Sequence, residues 1–129
     1  MVPLAPRVGG EVAQVLVKEN HLRVAGGITA AVAALRERAD GLPLEVEAET
    51  LGQVAEALDA GVERILLDNM TPEEVARAVA LVGGRAQLEA SGGVSLATVR
   101  AYAETGVDFI SVGALTHGAR SLHVSLEVL

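Results

Sequence analysis

The chain has five short apolar runs, the first four ending in polar residues, and each run but the last is followed by a helical pattern. This alternation constrains the fold more than any other feature of the chain. The runs are AQVLVK (13–18), LPLEVEAE (42–49), RILLDN (64–69), AQLEAS (86–91) and DFISVGA (108–114). Helical patterns fall near 28–39, 51–60, 72–82 and 96–105. Strand and helix in alternation predict βαβ units and a parallel sheet. The helix starts carry their own signals. Thr50 and Gln53 form a capping box, as Thr71-Pro72-Glu73-Glu74 supplies a cap, a first-turn proline and acids near the positive helix end. Ser95 is expected to cap the last helix, and Thr29 the one that follows GGIT (26–29). Gly61 and Gly106 close helices and return the chain to the next strand. The terminal SLHVSLEV alternates and reads as structural, His123 included. With 129 residues and no break in composition, residues 1–129 are expected to form a single domain.

The last polar residue of each expected strand is Lys18, Glu47, Asp68 and Ser91, with Gly113 in the fifth. One strand–helix step separates neighbours in this series, so all five belong to one edge of the sheet, the C-terminal edge. In α/β sheets and barrels that edge holds the ligand site. For any single member a solvated strand end is an equally plain reading; the argument rests on their succession. Glu45, Glu47 and Glu49 share one face by alternation, with Glu49 expected in the turn.

Two stretches read as phosphate loops or, alternatively, as plain glycine turns. EASGGVS (89–95) follows a strand and opens a helix, so Ser91, Gly92 and Gly93 offer close backbone approach and donors to an anion. SVGALTH (111–117) places Gly113 at the rim, with Thr116 and His117 as donors. His21 reads either as a ligand-orienting group or as a loop histidine, and the three histidines lack zinc spacing.

Composition excludes several function classes. Aromatics are 2% of a chain that is half hydrophobic, so the core is aliphatic. A net charge of -7, with no basic run, argues against nucleic acid and anionic membranes as partners. No cysteine is present, which removes disulfides and thiolate chemistry and agrees with a cytoplasmic location. No run has the roughly 18 apolar residues of a membrane-spanning helix, and MVPLAPRVGG lacks a signal-peptide core.

Taken together and in order, VLVKENH, LPLEVEAETL, ILLDNM, LEASGG and GVDFISVGALTH resemble the nicotinate-nucleotide pyrophosphorylases, or quinolinate phosphoribosyltransferases. The resemblance runs from about residue 13 to the end of the chain. It implies part of an incomplete, TIM-like α/β barrel. It also implies synthesis of nicotinate mononucleotide, a step of NAD biosynthesis, from quinolinate and phosphoribosyl pyrophosphate, with release of pyrophosphate and carbon dioxide. Magnesium is the implied cofactor, and a homodimer or other self-association the implied state. Lys18 then faces the quinolinate carboxylates, Glu47 and Asp68 hold the ribose hydroxyls and magnesium, and Ser91, Gly92 and Gly93 form the first phosphate loop. Gly113 and His117 belong to the second, which receives the 5′-phosphate. The family's N-terminal sandwich domain and its Arg-Lys-Thr segment have no counterpart here. Where its Asn-His-Arg stretch is expected the chain has APRVGGEVAQ, with Arg7 and Gly10 near the expected places. Two classes stay open: the transferase, and a non-catalytic or engineered fragment that keeps a phosphate and phosphoribosyl half-site.

Overall fold

Parallel strands joined by helices build the protein, as the alternation predicts. The computed structural model describes the backbone of residues 4–6, 12–112 and 124–127. The elements are β1 (Leu4–Pro6), β2 (Val12–Val17), α1 (Glu19–Ala25), α2 (Ile28–Arg36), β3 (Leu44–Ala48) and α3 (Leu51–Asp59). There follow β4 (Arg64–Asp68), α4 (Pro72–Val82), β5 (Gln87–Ser91), α5 (Val99–Ala103), β6 (Phe109–Val112) and β7 (Val124–Glu127). The strands form one sheet in sequence order. β2 to β6 are parallel, and β1 and β7 flank them as antiparallel strands.

Strand alternation sorts the side chains onto two faces of different chemistry. Val15, Val17, Leu44, Val46, Ala48, Ile65, Leu67, Leu88, Ala90 and Ile110 are buried together with Val32, Val54, Ala57, Val75, Ala78 and Tyr102 of the helices. This is the core, and it is almost wholly aliphatic. The opposite face carries Glu45, Glu47, Arg64, Leu66, Asp68, Glu89, Ser91, Phe109 and Ser111, most of them half-buried. That split is the pattern of barrel strands, whose inner face differs from the helix-covered outer one.

Local signals account for most of the element boundaries. Thr71 accepts from the Glu74 amide, and the Glu74 carboxylate accepts from the Thr71 amide, completing the capping box. Thr50 accepts from the Gln53 amide at 3.2 Å, but the Gln53 side chain takes the amide of Glu49, one residue further back. Thr29 does not cap α2. Gly27 holds that position at φ 128°, and the Thr29 amide donates to Glu56 of α3 instead. Ser95 does not cap α5 either: Thr98 is its N-cap, and residues 96–98 form a turn before a shorter helix. The helix expected over 28–39 stops at Arg36. Among the described residues no helix is long and apolar enough to cross a membrane.

Two carboxylates close the N-terminal edge of the sheet. Glu63, just before β4, accepts the amide of Leu44 at 2.8 Å; Asp108, just before β6, accepts that of Leu88 at 2.8 Å. Burial would raise the Glu63 pKa, but hydrogen bonds from Arg36 and the Leu44 amide outweigh it and hold the carboxyl below its ordinary value. The Leu44 and Leu88 amides at this edge are thus satisfied internally.

Candidate functional site

The rim is built by strand ends in register. Asp68 ends β4 directly opposite Ser91, which ends β5. Glu47 lies next to the end of β3, and Lys18 follows β2 and is exposed. The structure therefore brings Lys18, Glu47, Asp68 and Ser91 to one edge. Gly113, Thr116 and His117 lie outside the described residues, as do Arg7, Gly10 and His123. His21 falls within α1, which starts directly after Lys18, and not in a loop.

Charge is concentrated at this edge. Burial raises the Glu47 pKa; the charge of Asp68 and a hydrogen bond with it push the same way, while the charge of Lys18 opposes them. Two acids held this close repel unless a proton or a cation lies between them. Glu49 joins them from the bend after β3. Carboxylate oxygens of Glu47, Glu49 and Asp68 all lie within 4.8 Å of one another. Three hard oxygen donors at this spacing, with spare negative charge, suit a magnesium ion that keeps waters in its remaining positions.

The glycine turn after β5 packs against these acids. A Cβ on Gly92 would stand 2.7 Å from Oδ1 of Asp68 and 2.6 Å from Oδ1 of Asn69, and φ is +77° there. Asn69 is itself left-handed at φ 54°, and its amide donates to the Ser91 carbonyl at 3.0 Å. Gly93 also has positive φ, +73°, but faces open space. The two glycines therefore do different work: Gly92 makes room for Asp68, and Gly93 leaves the mouth of the turn uncovered. Gly92→Ala is expected to cost about 1–2 kcal/mol more than Gly93→Ala in urea unfolding, since both pay backbone strain and only the first displaces two side chains. Equal losses would contradict the contact.

Beneath the rim lies a second polar layer. Glu45 is 3% exposed. Burial, the neighbouring charge of Glu89 and a hydrogen bond with Glu89 push its pKa up to about 7, against the pull of Arg64. Glu89 also accepts from the Ser111 hydroxyl. Arg64 Nη1 is 3.9 Å from Glu89, and its guanidinium lies 4.1 Å from the centre of the Phe109 ring. Sequence reasoning had Glu45 on the correct face. It missed Glu49 as a donor, Asn69 as a left-handed turn residue, and the whole Arg64–Glu89–Ser111 group. The parity of Glu89 with Ser91 was the available signal for that group.

Comparison with known proteins follows the same strands. The family model for the quinolinate phosphoribosyl transferase C-terminal domain matches residues 10–127. A nicotinate-nucleotide pyrophosphorylase [carboxylating] of Mycobacterium leprae is 41% identical over 134 residues, covering 96% of this chain and 47% of the relative. The chloroplastic protein of the same name from Oryza sativa subsp. japonica is 41% identical over 133 residues, covering 88% of this chain and 36% of the relative. The solved nicotinate-nucleotide pyrophosphorylase of Francisella tularensis superposes with a TM-score of 0.77 at 37% identity, over 94% of this chain and 46% of that one. The chain thus spans less than half the length of these relatives.

Proposed function

The chain belongs to the quinolinate phosphoribosyl transferase C-terminal domain family, and from that premise we propose that it forms the phosphoribosyl-binding part of a quinolinate phosphoribosyltransferase. The reaction would join quinolinate and phosphoribosyl pyrophosphate into nicotinate mononucleotide, releasing pyrophosphate and carbon dioxide. The observation that carries the reading is the meeting of Glu47, Glu49 and Asp68 beside the Ser91–Gly93 turn at the ligand edge of a barrel-like sheet.

Each group has a physical role in this reading. Loss of pyrophosphate leaves positive charge on the sugar, and carboxylates placed beneath it stabilise that charge as it develops. Glu47 and Asp68 do so, and they also accept hydrogen bonds from ribose hydroxyls. They would hold magnesium with Glu49 completing the set; when bound, the ion neutralises the diphosphate leaving group. Ser91, Gly92 and Gly93 offer a hydroxyl and amides to phosphate oxygens. Lys18 supplies a cation to a quinolinate carboxylate, and its charge already acts on Glu47. The family resemblance assigns Gly113 and His117, which lie outside the described residues, to the second phosphate loop.

A second reading has its own support. The polar face carries Glu45, Glu47, Glu49, Asp68 and Glu89 against Lys18 and Arg64, so it suits a magnesium–phosphoribosyl ligand far better than a free dianion. A binding half-site without turnover fits that balance. Self-association into a homodimer also remains part of the proposal: the outer edges of β1 and β7 have no strand partner among the described residues.

Calorimetry tests the reading common to both. Titration with phosphoribosyl pyrophosphate is expected to give saturable heat with magnesium and little without it. Asp68→Asn is expected to weaken that binding about tenfold or more, the loss of one charged contact. No saturable heat in the native chain contradicts the site.

A further inference from the structure

The joint between β5 and β6 is the sparsest in the parallel sheet. β4 and β5 stay in register from Arg64↔Gln87 up to Asp68↔Ser91, at the rim itself. Among the described residues β5 and β6 pair at Glu89↔Phe109 and Ala90↔Ile110, with the Asp108 amide donating to the Leu88 carbonyl at 3.1 Å below them. Their backbone ladder stops one residue short of Ser91, and the next residue of β6 is Ser111. At that point a side-chain bond takes over: the Ser111 hydroxyl donates to Glu89. Glu89 reaches the other way as well, to Arg64 on β4 and to Glu45 on β3. One carboxylate on β5 therefore holds side chains from three other strands. It sits on the same face as Ser91, about 6.6 Å deeper, two residues of strand rise.

We propose that Glu89, through Ser111, is a positioning residue that sets how far β5 and β6 part at the rim, and so fixes where Asp68 and the Ser91–Gly93 turn stand relative to β6 for the phosphoribosyl ligand. The proposal rests on the functional reading above for its ligand, and on the short ladder and the cross-strand bonds for its geometry. Backbone bonds fix the β4 side of Ser91, so Asp68 and Ser91 move as a unit. On the β6 side the Glu89–Ser111 bond ties the residue after the last paired position of β6 back to β5. Its strength decides whether that unit has one position relative to β6 or several. Positioning groups of this kind, one layer behind the groups that touch a ligand, commonly change affinity about 10–100-fold when lost.

Two measurements on Ser111 variants test this. The first is affinity for magnesium phosphoribosyl pyrophosphate at a temperature where every variant is fully folded. Ser111→Ala is expected to bind about tenfold or more weakly, and Ser111→Thr, which keeps the hydroxyl, to restore native affinity. Glu89→Ala with Ser111→Ala should be no weaker than Glu89→Ala alone, because both break the same bond. A lower melting temperature with unchanged affinity would show a structural role only and overturn the proposal. The second is the amide shifts of Gly92 and Gly93 in the ligand-free protein, which do not depend on the functional reading. They are expected to move in Ser111→Ala and to return in Ser111→Thr. Unmoved glycine amides in Ser111→Ala overturn the proposal whether or not the ligand binds. Native protein that shows no binding, with glycine amides that do move, overturns the functional reading and leaves the positioning role supported.

Discussion

The purified 129-residue chain, given quinolinate and magnesium phosphoribosyl pyrophosphate, is expected to form nicotinate mononucleotide at least about a thousandfold more slowly per site than the full-length Mycobacterium leprae relative. The reasons are charge and extent. The chain spans 47% of that relative. Its polar face supplies acids that suit the sugar cation and the metal, but few cations for a dianionic substrate. Arg64 starts β4, at the far end of the strand from the rim, and is engaged by Glu89 and Phe109. At the described strand ends of the rim, the cation is Lys18. Removing one charge-stabilising donor from an active site typically costs about 100–1,000-fold, and the Arg-Lys-Thr and Asn-His-Arg segments that the resemblance implies are not in these 129 residues. A thousandfold is about 4 kcal/mol of transition-state stabilisation. Product release is followed by chromatography of nicotinate mononucleotide. Comparable rates would show that the chain carries a sufficient site alone.

Replacing Glu45 by Gln is expected to stabilise the protein at pH 8 by roughly 2–3 kcal/mol and to leave it nearly unchanged at pH 4.5. Glu45 titrates near 7 in the folded chain and near its ordinary 4.5 when unfolded. Between those values the folded state binds more protons than the unfolded state. Stability from this group is therefore fully present below about pH 4.5 and falls as pH rises through 7. Above pH 7 a charged Glu45 faces Glu89 in a buried layer, with Arg64 as the opposing cation and Ser111 bonded to Glu89. Gln is neutral at every pH and can still donate to Glu89, as the protonated acid does. Urea unfolding of both proteins across this range measures the difference. A Gln variant that is less stable at pH 8, or a gap that does not change with pH, contradicts the assigned environment of Glu45.

Much of the scaffold was legible in the chain because local chemistry decided it. Val15 to Val17, Ile65 to Leu67 and Leu88 to Ala90 are short runs bounded by polar residues, and each became a strand within a residue or two of its expected place. Thr71-Pro72-Glu73-Glu74 marks a helix start whatever surrounds it. The misses come from contacts between distant residues. Thr29 has the side chain of a cap, but Glu56 from the next helix claims its amide at 3.3 Å. The short strand β1 contains Pro6 and forms only by pairing with β2, so nothing within LAP announces it. The helix α1 hides behind the polar ENH, with Leu22 as its buried anchor among the described side chains.

The rim itself divides in the same way. Lys18, Glu47, Asp68 and Ser91 could be placed from periodicity alone, because each is the last polar residue of an expected strand. Glu49 could not be given a role, since its reach depends on the bend after β3. Nor could Gly92 be separated from Gly93 by sequence: only the closeness of Asp68 and Asn69 to Gly92 gives the two glycines different tasks. The polar layer below required the strand register, which sets Arg64 beside Glu45 and Phe109 beside Glu89.

Backbone amide shifts of the isotopically labelled chain, followed during titration with magnesium phosphoribosyl pyrophosphate, test most directly whether the C-terminal strand edge is a phosphoribosyl site. The largest saturable shifts are expected at Lys18, Glu47, Asp68, Asn69, Ser91, Gly92 and Gly93, and are expected to vanish without magnesium. Amides at the opposite edge, such as Leu44, Arg64 and Leu88, should stay in place. Saturable shifts centred on that opposite edge or spread over the helices, or no saturable shift at all, would contradict the account.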